Sequence, residues 1–347
     1  VVHADDEIAF RAVVEQILDE RESNASGVPQ VYQRLRIRAL SGSLKGTALT
    51  VEQNYYQAGP QSPYEVGDRI WVTIEEGVGG QPVYLISGPE RSSTLYIIAL
   101  VFVALVAFVA QGRGVQSLLG LAISFAVVLL YMLPKLSEGA SPIGTALMGG
   151  LLSMPINYYL SHGFNRKTTI ALVGSLLGLG LTAVLAENLI AATKLTGLSS
   201  DEAGFLLTSS PGSYDLVGIL LAGILVSMIG VLDDVTVAQS AVVEQLADTT
   251  TKESWRSLYW RAMSVGKDHI TSMVNTLMLV YAGASLPLLL LVSDQSLPLG
   301  YVLSQEIVTE EVVRMLVSSI GVIAVVPVTT AIAAIFFGRK KQDLEED

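Results

Sequence analysis

The chain has 347 residues, 51% hydrophobic and only 15% charged, with a mean hydropathy of +0.52. Soluble domains carry about 25% charged residues, so these figures exclude an ordinary cytosolic enzyme. The absence of cysteine excludes disulfides, thiolate zinc sites, iron–sulfur clusters and cysteine nucleophiles, and a net charge of −11 argues against nucleic acid as a partner.

Charge divides the chain near residue 93: before it charged residues recur every few positions, and after it long stretches hold none. Val2-His3-Ala4 ahead of Asp5 matches the small-residue pattern of a signal-peptidase site, and an uncleaved upstream anchor helix would leave a similar stub. Residues 9–17 fit both the strand and the helix period and are taken as a strand. Residues 30–40 alternate, with Val31, Leu35, Ile37 and Ala39 set against Gln33, Arg34, Arg36 and Arg38, and predict a second strand. A turn signal at Ser41-Gly42-Ser43 leads into TALTVEQ (47–53), completing a hairpin. RIWVTIEE (69–76) and PVYLIS (82–87) predict two more strands. Five short strands over residues 1–93 predict a small OB- or SH3-like β-barrel, and without a basic-aromatic surface it is read as a docking or scaffold domain.

Residues 94–337 predict a helical membrane bundle. Apolar runs at 94–110, 115–133, 143–160, 168–192, 214–232, 270–292 and 312–337 are each long enough to cross a bilayer core of about 30 Å, and spans in lipid must be helices to pair their backbone. Lys and Arg set the direction. Arg113, Arg166, Lys167, Lys252, Arg256, Arg261, Lys267, Arg339, Lys340 and Lys341 fall on one side, against Lys135 and Lys194 on the other. By the positive-inside rule the N-terminal domain is outside and the charged tail, 338–347, is cytoplasmic. In the fourth span Gly174-x-x-x-Gly178-x-Gly180 suits close helix packing.

Ionisable groups at membrane depth are costly and are functional candidates. In GVLDDVTVAQSAVVEQL (230–246), Asp233, Thr236, Ser240 and Glu244 share one helical face, while Asp234 lies on its neighbour. Paired carboxylates with hydroxyls suit a hard cation or a proton, or they end the span at the water interface. In VGKDHITSMVNTLMLVYAGASLPLLL (265–290), Asp268, Ser272 and Asn275 share a face, with His269, Ser272 and Thr276 beside it. Asp268 is either a helix cap or, converging with Asp233, part of one ion site. Between these stretches, 235–248 and 252–263 predict two amphipathic helices within a cytoplasmic segment, 235–268, carrying Trp255, Tyr259 and Trp260 at the interface. Gly283 and Pro287 are placed to break the sixth span. No nucleophile elbow, HExxH, P-loop or GxGxxG occurs, and His3, His162 and His269 are scattered.

The two polar stretches, together with LSGSLKGTALTVEQN (40–54) and HGFNRKTTIALVGSLLGLGLTAV (162–184), resemble the YibE/F-like family of bacterial multi-span membrane proteins. The resemblance covers nearly the whole chain and implies an extracytoplasmic β domain followed by seven to eight spans in the bacterial plasma membrane. It also implies that Asp233 is the shared acid, since some members have an apolar residue after it, and that His269 departs from the family pattern. It carries no settled activity.

The expectation is therefore a transporter or channel for a small solute, most simply a cation or a proton-coupled substrate, and not an enzyme. Asp233, Asp234 and Asp268 would bind or relay the ion, and Asn275, Thr276, Ser240 and Glu244 would contact substrate. No cofactor is expected beyond a bound cation. The expected partners are the lipid bilayer, the solute or ion, an extracytoplasmic protein and a second copy of the chain. The competing reading is a membrane scaffold or assembly factor whose polar residues lock helices together.

Overall fold

A computed structural model describes residues 8–23, 30–56, 63–77, 80–209, 214–249, 254–293 and 297–346, and divides into two units, Val1–Ala104 and Leu105–Asp347. The Val2-His3-Ala4 pattern and Lys252 lie outside the described residues.

All five predicted strands form: β1 (Ala9–Ser23), β2 (Gln30–Ala39), β3 (Ala48–Tyr56), β4 (Arg69–Glu76) and β5 (Pro82–Pro89). They make one antiparallel sheet in the order β3-β2-β1-β4-β5. β1 is central, laddered to β2 and β4, which settles the ambiguous period of residues 9–17 in favour of a strand. Phe10, Ala12 and Val14 bury against Leu35, Ile37, Val51, Ile70, Val72 and Ile86. The sheet curls until β3 and β5 approach, but they share no ladder, so the predicted barrel is a half-barrel among the described residues.

Gln33 corrects the predicted faces of β2. Strand alternation puts it with Val31, Leu35 and Ile37 on the buried side, where it is fully enclosed. Its Oε1 accepts from Tyr64 N (2.9 Å), and its Nε2 donates to Tyr64 O (3.1 Å) and Glu20 Oε2 (2.8 Å). The amide thus answers both backbone groups of Tyr64 as a neighbouring strand would.

The helices are α1 (Ser92–Val127), a π turn at Val128–Met132, α2 (Leu133–Ser137), α3 (Pro142–His162), α4 (Arg166–Thr193), α5 (Asp201–Ser209), α6 (Leu216–Thr249), α7 (Trp255–Ala284), α8 (Leu286–Ser293), α9 (Leu299–Leu303) and α10 (Glu306–Glu346). Glu90 caps α1: Ser93 N donates to its Oε1 (3.1 Å), Ser93 Oγ to its Oε2 (2.8 Å), and Ser92 Oγ also donates to Oε1.

Four helical runs are long and apolar enough to cross a membrane: Ser92–Ser137, Arg166–Thr193, Leu216–Thr249 and Glu306–Gly338. A fifth forms if α7 and α8, bent by 67°, make one broken span. The predicted first and second spans lie in the single 46-residue run Ser92–Ser137, interrupted where Gln111 leaves helical geometry (φ 52, ψ −135). The predicted third span is α3, whose Asn, Ser, Tyr and His side chains keep it outside this group. The two predicted amphipathic helices are not separate: one is the end of α6 and the other the start of α7. The predicted break between Gly283 and Pro287 falls at Ser285. The charged tail prolongs the backbone of α10.

α4, α6 and α10 form the centre of the helical unit. Gly174 faces Thr329, and Gly178 faces Val325 and Leu232; a Cβ on Gly178 would lie 2.6 Å from Val325 Cγ2. Across the same seam Gly321 of α10 faces Thr182. Positions 174, 178 and 182 meet 329, 325 and 321, a step of four on both helices, so the two backbones approach closely. The third glycine of the predicted motif, Gly180, faces open space.

Gly178→Leu should therefore destabilise the detergent-solubilised protein by about 1–3 kcal/mol, as overpacked cores do, and so lower its thermal midpoint; Gly180→Leu should not. Equal midpoints for the two variants would contradict this packing. A second expectation concerns acid. The hydroxyl and amide bonds of Ser92 and Ser93 hold the Glu90 carboxyl below its ordinary value of 4.5. The depressed value means that the cap stabilises the folded N-terminal unit above about pH 4.5 and is lost as pH falls through the lower, folded value. Amide exchange of Ser93 to Tyr96 should rise over that range in the native chain, and Glu90→Gln should remove the step.

Candidate functional site

Where α3 ends and α4 begins, polar side chains gather against the middle of α6. The chain turns there through Gly163 (φ 79) into Asn165, whose Oδ1 caps α4 by accepting from Thr168 N (2.9 Å). That turn sets the last two turns of α3 and the first three of α4 beside Asp233 to Ser240. Tyr158 of α3 is fully buried, and its hydroxyl bonds Ser175 Oγ of α4 (2.5 Å) and Thr236 Oγ1 of α6 (3.1 Å). Ser175 and Thr236 bond each other at 2.8 Å, and Thr236 donates to Leu232 O at 2.8 Å, so the triangle is closed and dry. One turn further on, Gln239 donates to Ala262 O of α7 (3.2 Å) and Thr330 Oγ1 of α10 (2.8 Å), and Ser240 donates to Lys167 O of α4 (3.0 Å).

Asp233 stands apart from this satisfied network. Its side chain is 16% exposed, and Oδ1 is shielded from solvent with no hydrogen-bond donor. Its nearest basic group is His162 of α3, whose Nε2 lies 3.6 Å from Oδ1, an ion-pair distance when the imidazole is protonated but too long for a hydrogen bond. Asp234 points to the exposed side and is within electrostatic reach of Asp233, His162 and His269. A carboxylate oxygen shielded without a donor is an expensive arrangement, and a cationic neighbour relieves it.

The two members of this pair line different cavities. One, of about 350 Å³, is lined by Asp233 together with Ser117 and Ser124 of α1 and Ser153 and Asn157 of α3. The other, of about 710 Å³, is lined by His162 with Arg113 and Gln116 of α1, Ser161 of α3 and Lys167 of α4. The Asp233–His162 pair thus has one member on each wall.

The predicted residues separate into three groups. Asp233, Thr236 and Ser240 are in the polar seam, although Ser240 is used up on a backbone carbonyl. Glu244 lies at its edge, 4.0 Å from Lys167 Nζ. Asp268, Asn275 and Thr276 are on the exposed side of α7, and Thr276 bonds within its own helix to Ser272 O (2.9 Å). Asp268 is not brought to Asp233; its neighbour His269 is the residue turned inward, with Nε2 buried and lacking a hydrogen-bond partner. Among the described residues no three His, Asp or Glu side chains come together as a metal site.

Sequence reasoning missed His162, Tyr158, Asn157, Ser153 and Ser175. A signal for the α3 residues was present: Gly149, Ser153, Asn157 and Ser161 recur every fourth residue, a small-polar stripe on one face. His162 was set aside as isolated because its partner is 71 positions away.

The long apolar helices and the buried polar seam define a membrane protein with transmembrane helices. The chain belongs to the YibE/F-like family: the family model described as YibE/F-like protein matches residues 98–339. Comparison with curated proteins and with solved structures returns no match.

Tyr158→Phe should lower stability by about 1 kcal/mol, the net worth of a buried hydrogen bond, because Ser175 and Thr236 keep each other as partners. Tyr158→Ala should cost about 3–5 kcal/mol through the cavity it leaves. Thermal unfolding in one detergent separates the two, and equal losses would show that the hydroxyl, not the ring, carries the contact.

Proposed function

We propose that the helical unit is a transporter for a small solute in the bacterial plasma membrane, coupled to protons through Asp233 and His162. The observation that carries this reading is a buried carboxylate oxygen without a donor, 3.6 Å from an imidazole, with the carboxylate lining one cavity and the imidazole another. A proton on Asp233 removes the cost of its buried charge, and a proton on His162 supplies the cation that the carboxylate lacks. Exchange between them links the smaller cavity to the larger. The absence of a third acidic or histidine ligand among the described residues favours a proton over a multi-ligand metal ion at this place.

The membrane arrangement that fits this reading has seven spans: the run Ser92–Ser137 counted as two arms about Gln111, then α3, α4, α6, the broken pair α7 and α8, and α10. The distribution of Lys and Arg then puts the N-terminal unit outside and the C-terminus in the cytoplasm. The curled five-strand sheet, of OB-like character, would serve there as a docking domain for an extracytoplasmic partner. The scaffold reading keeps one specific support: the Tyr158–Ser175–Thr236 and Gln239–Thr330 bonds join four helices without any transported ion.

Proton flux into liposomes carrying the full chain, followed with an internal pH dye under an imposed pH gradient, tests the choice. Asp233→Asn should abolish flux and Asp233→Glu should retain part of it. His162→Gln should slow flux by about 10²-fold or more, the usual worth of a positioned acid–base group. The pH dependence of flux should answer to Asp233, Asp234, Arg113 and Lys167, the charged groups around the imidazole. A D233N protein that folds and conducts at the native rate, or a native protein that never conducts, would leave the scaffold reading standing.

A further inference from the structure

We infer that the 710 Å³ cavity at the α3–α4 turn is an anion site, built to take a phosphate-type group. Arg113 and Lys167 stand on its wall with His162, Gln116 and Ser161, and among the described residues no carboxylate lines it. Its volume is that of small-ligand sites, about 300–1,000 Å³. The charge placement is unusual for this chain, which holds 21 Lys and Arg against 32 Asp and Glu.

Arg113 is the most informative of these groups. It is the only charged residue between Arg91 and Lys135, in a run whose other side chains are almost all apolar. It follows the Gln111 break by two residues and precedes Gly114, whose missing side chain lets the backbone lie against Val106 O, 2.5 Å from where a Cβ would be. No acidic partner for it occurs among the described residues. Lys167 has only Glu244, at 4.0 Å, and the Asp233 carboxylate lies behind His162 rather than in the cavity. Two cations, an amide and a hydroxyl lining one space supply the positive charge and the hydrogen-bond donors that the oxygens of a tetrahedral anion require.

The rest of the wall is apolar, with Pro155, Ile156, Leu160 and Val237 below and the stacked rings of Tyr159 and Phe164 beside it (centroids 4.4 Å apart, 8° between planes). That combination accepts a phosphate on an aliphatic or aromatic body. Its source is either a free phosphorylated solute or the headgroup of an anionic lipid. The inference goes beyond proton coupling and does not need it, because ligand binding is measured without transport.

Two measurements on the full chain in neutral detergent test the site. Inorganic phosphate is titrated while the thermal midpoint is followed. In parallel, native mass spectrometry counts retained phosphatidylglycerol against phosphatidylcholine. Binding of either probe in the native protein, weakened at least tenfold by Arg113→Gln and by Lys167→Gln and largely restored by Arg113→Lys, supports the site. Phosphate binding assigns a free anion, and lipid retention without a phosphate response assigns a headgroup. Arg256→Gln, a basic residue stacked on Trp255 and not part of the cavity wall, should leave both unchanged, and because both probes are read as binding without transport, failure of this site is separate from failure of proton coupling. Should neither probe bind, or should binding survive in the R113Q and K167Q variants, the inference is overturned. Midpoints recorded without ligand show whether a variant has merely unfolded, and R113K then carries the test.

Discussion

α4 and α10 meet through a step of four on each helix: Gly174 against Thr329, Gly178 against Val325, and Thr182 against Gly321. Small residues at these crossings decide how near the two backbones come, and everything else in the helical unit is packed around that distance. α6 fills the groove beside them with Leu225, Met228 and Leu232, all fully buried, and brings its own polar turns to the level of Ser175. A bilayer offers helices no hydrophobic gain from meeting one another, so such contacts depend on fit and on hydrogen bonds made across them. Hence the seam combines glycines with hydroxyls.

Within that seam satisfaction is uneven, and the unevenness locates the site. Tyr158, Ser175, Thr236, Gln239 and Thr330 answer one another, which makes them a rigid frame of neutral hydrogen bonds. Asp233, one helical turn from Thr236, is different: its Oδ1 is shielded without a hydrogen-bond donor and has His162 Nε2 at 3.6 Å. A frame of fixed hydrogen bonds holds such an oxygen only at a cost, which marks Asp233 as the functional candidate. Asp233 and His162 line different cavities, and the larger of the two carries Arg113 and Lys167 on its wall.

The N-terminal unit follows a different logic, in which the sheet supplies its own backbone partners and only special positions need side-chain help. Gln33 supplies one such answer, standing in for a strand beside Tyr64, and Glu90 supplies another at the start of α1. Both are polar groups whose value lies in where the backbone would otherwise be left unpaired.

By itself the sequence determined the membrane class, the family, the five strands and the placement of most apolar helices. Those features come from composition and local period, which a chain carries without reference to its distant parts. It also marked Asp233, because a carboxylate in an apolar run is anomalous wherever the run folds. Only the tertiary structure decided that His162, and not Asp268, is its neighbour. Rotation of α7 turns Asp268 and Asn275 outward and His269 inward, and spacing within one helix says which residues share a face but not which way the face looks. The α3 stripe at 149, 153, 157 and 161 was legible as a stripe, yet its meaning waited on α1 and α6 closing over it. Partners separated by 71 residues meet because α3 packs on α6, where the Tyr158 hydroxyl bonds Thr236, and that packing is a property of pairs of helices that no single segment records.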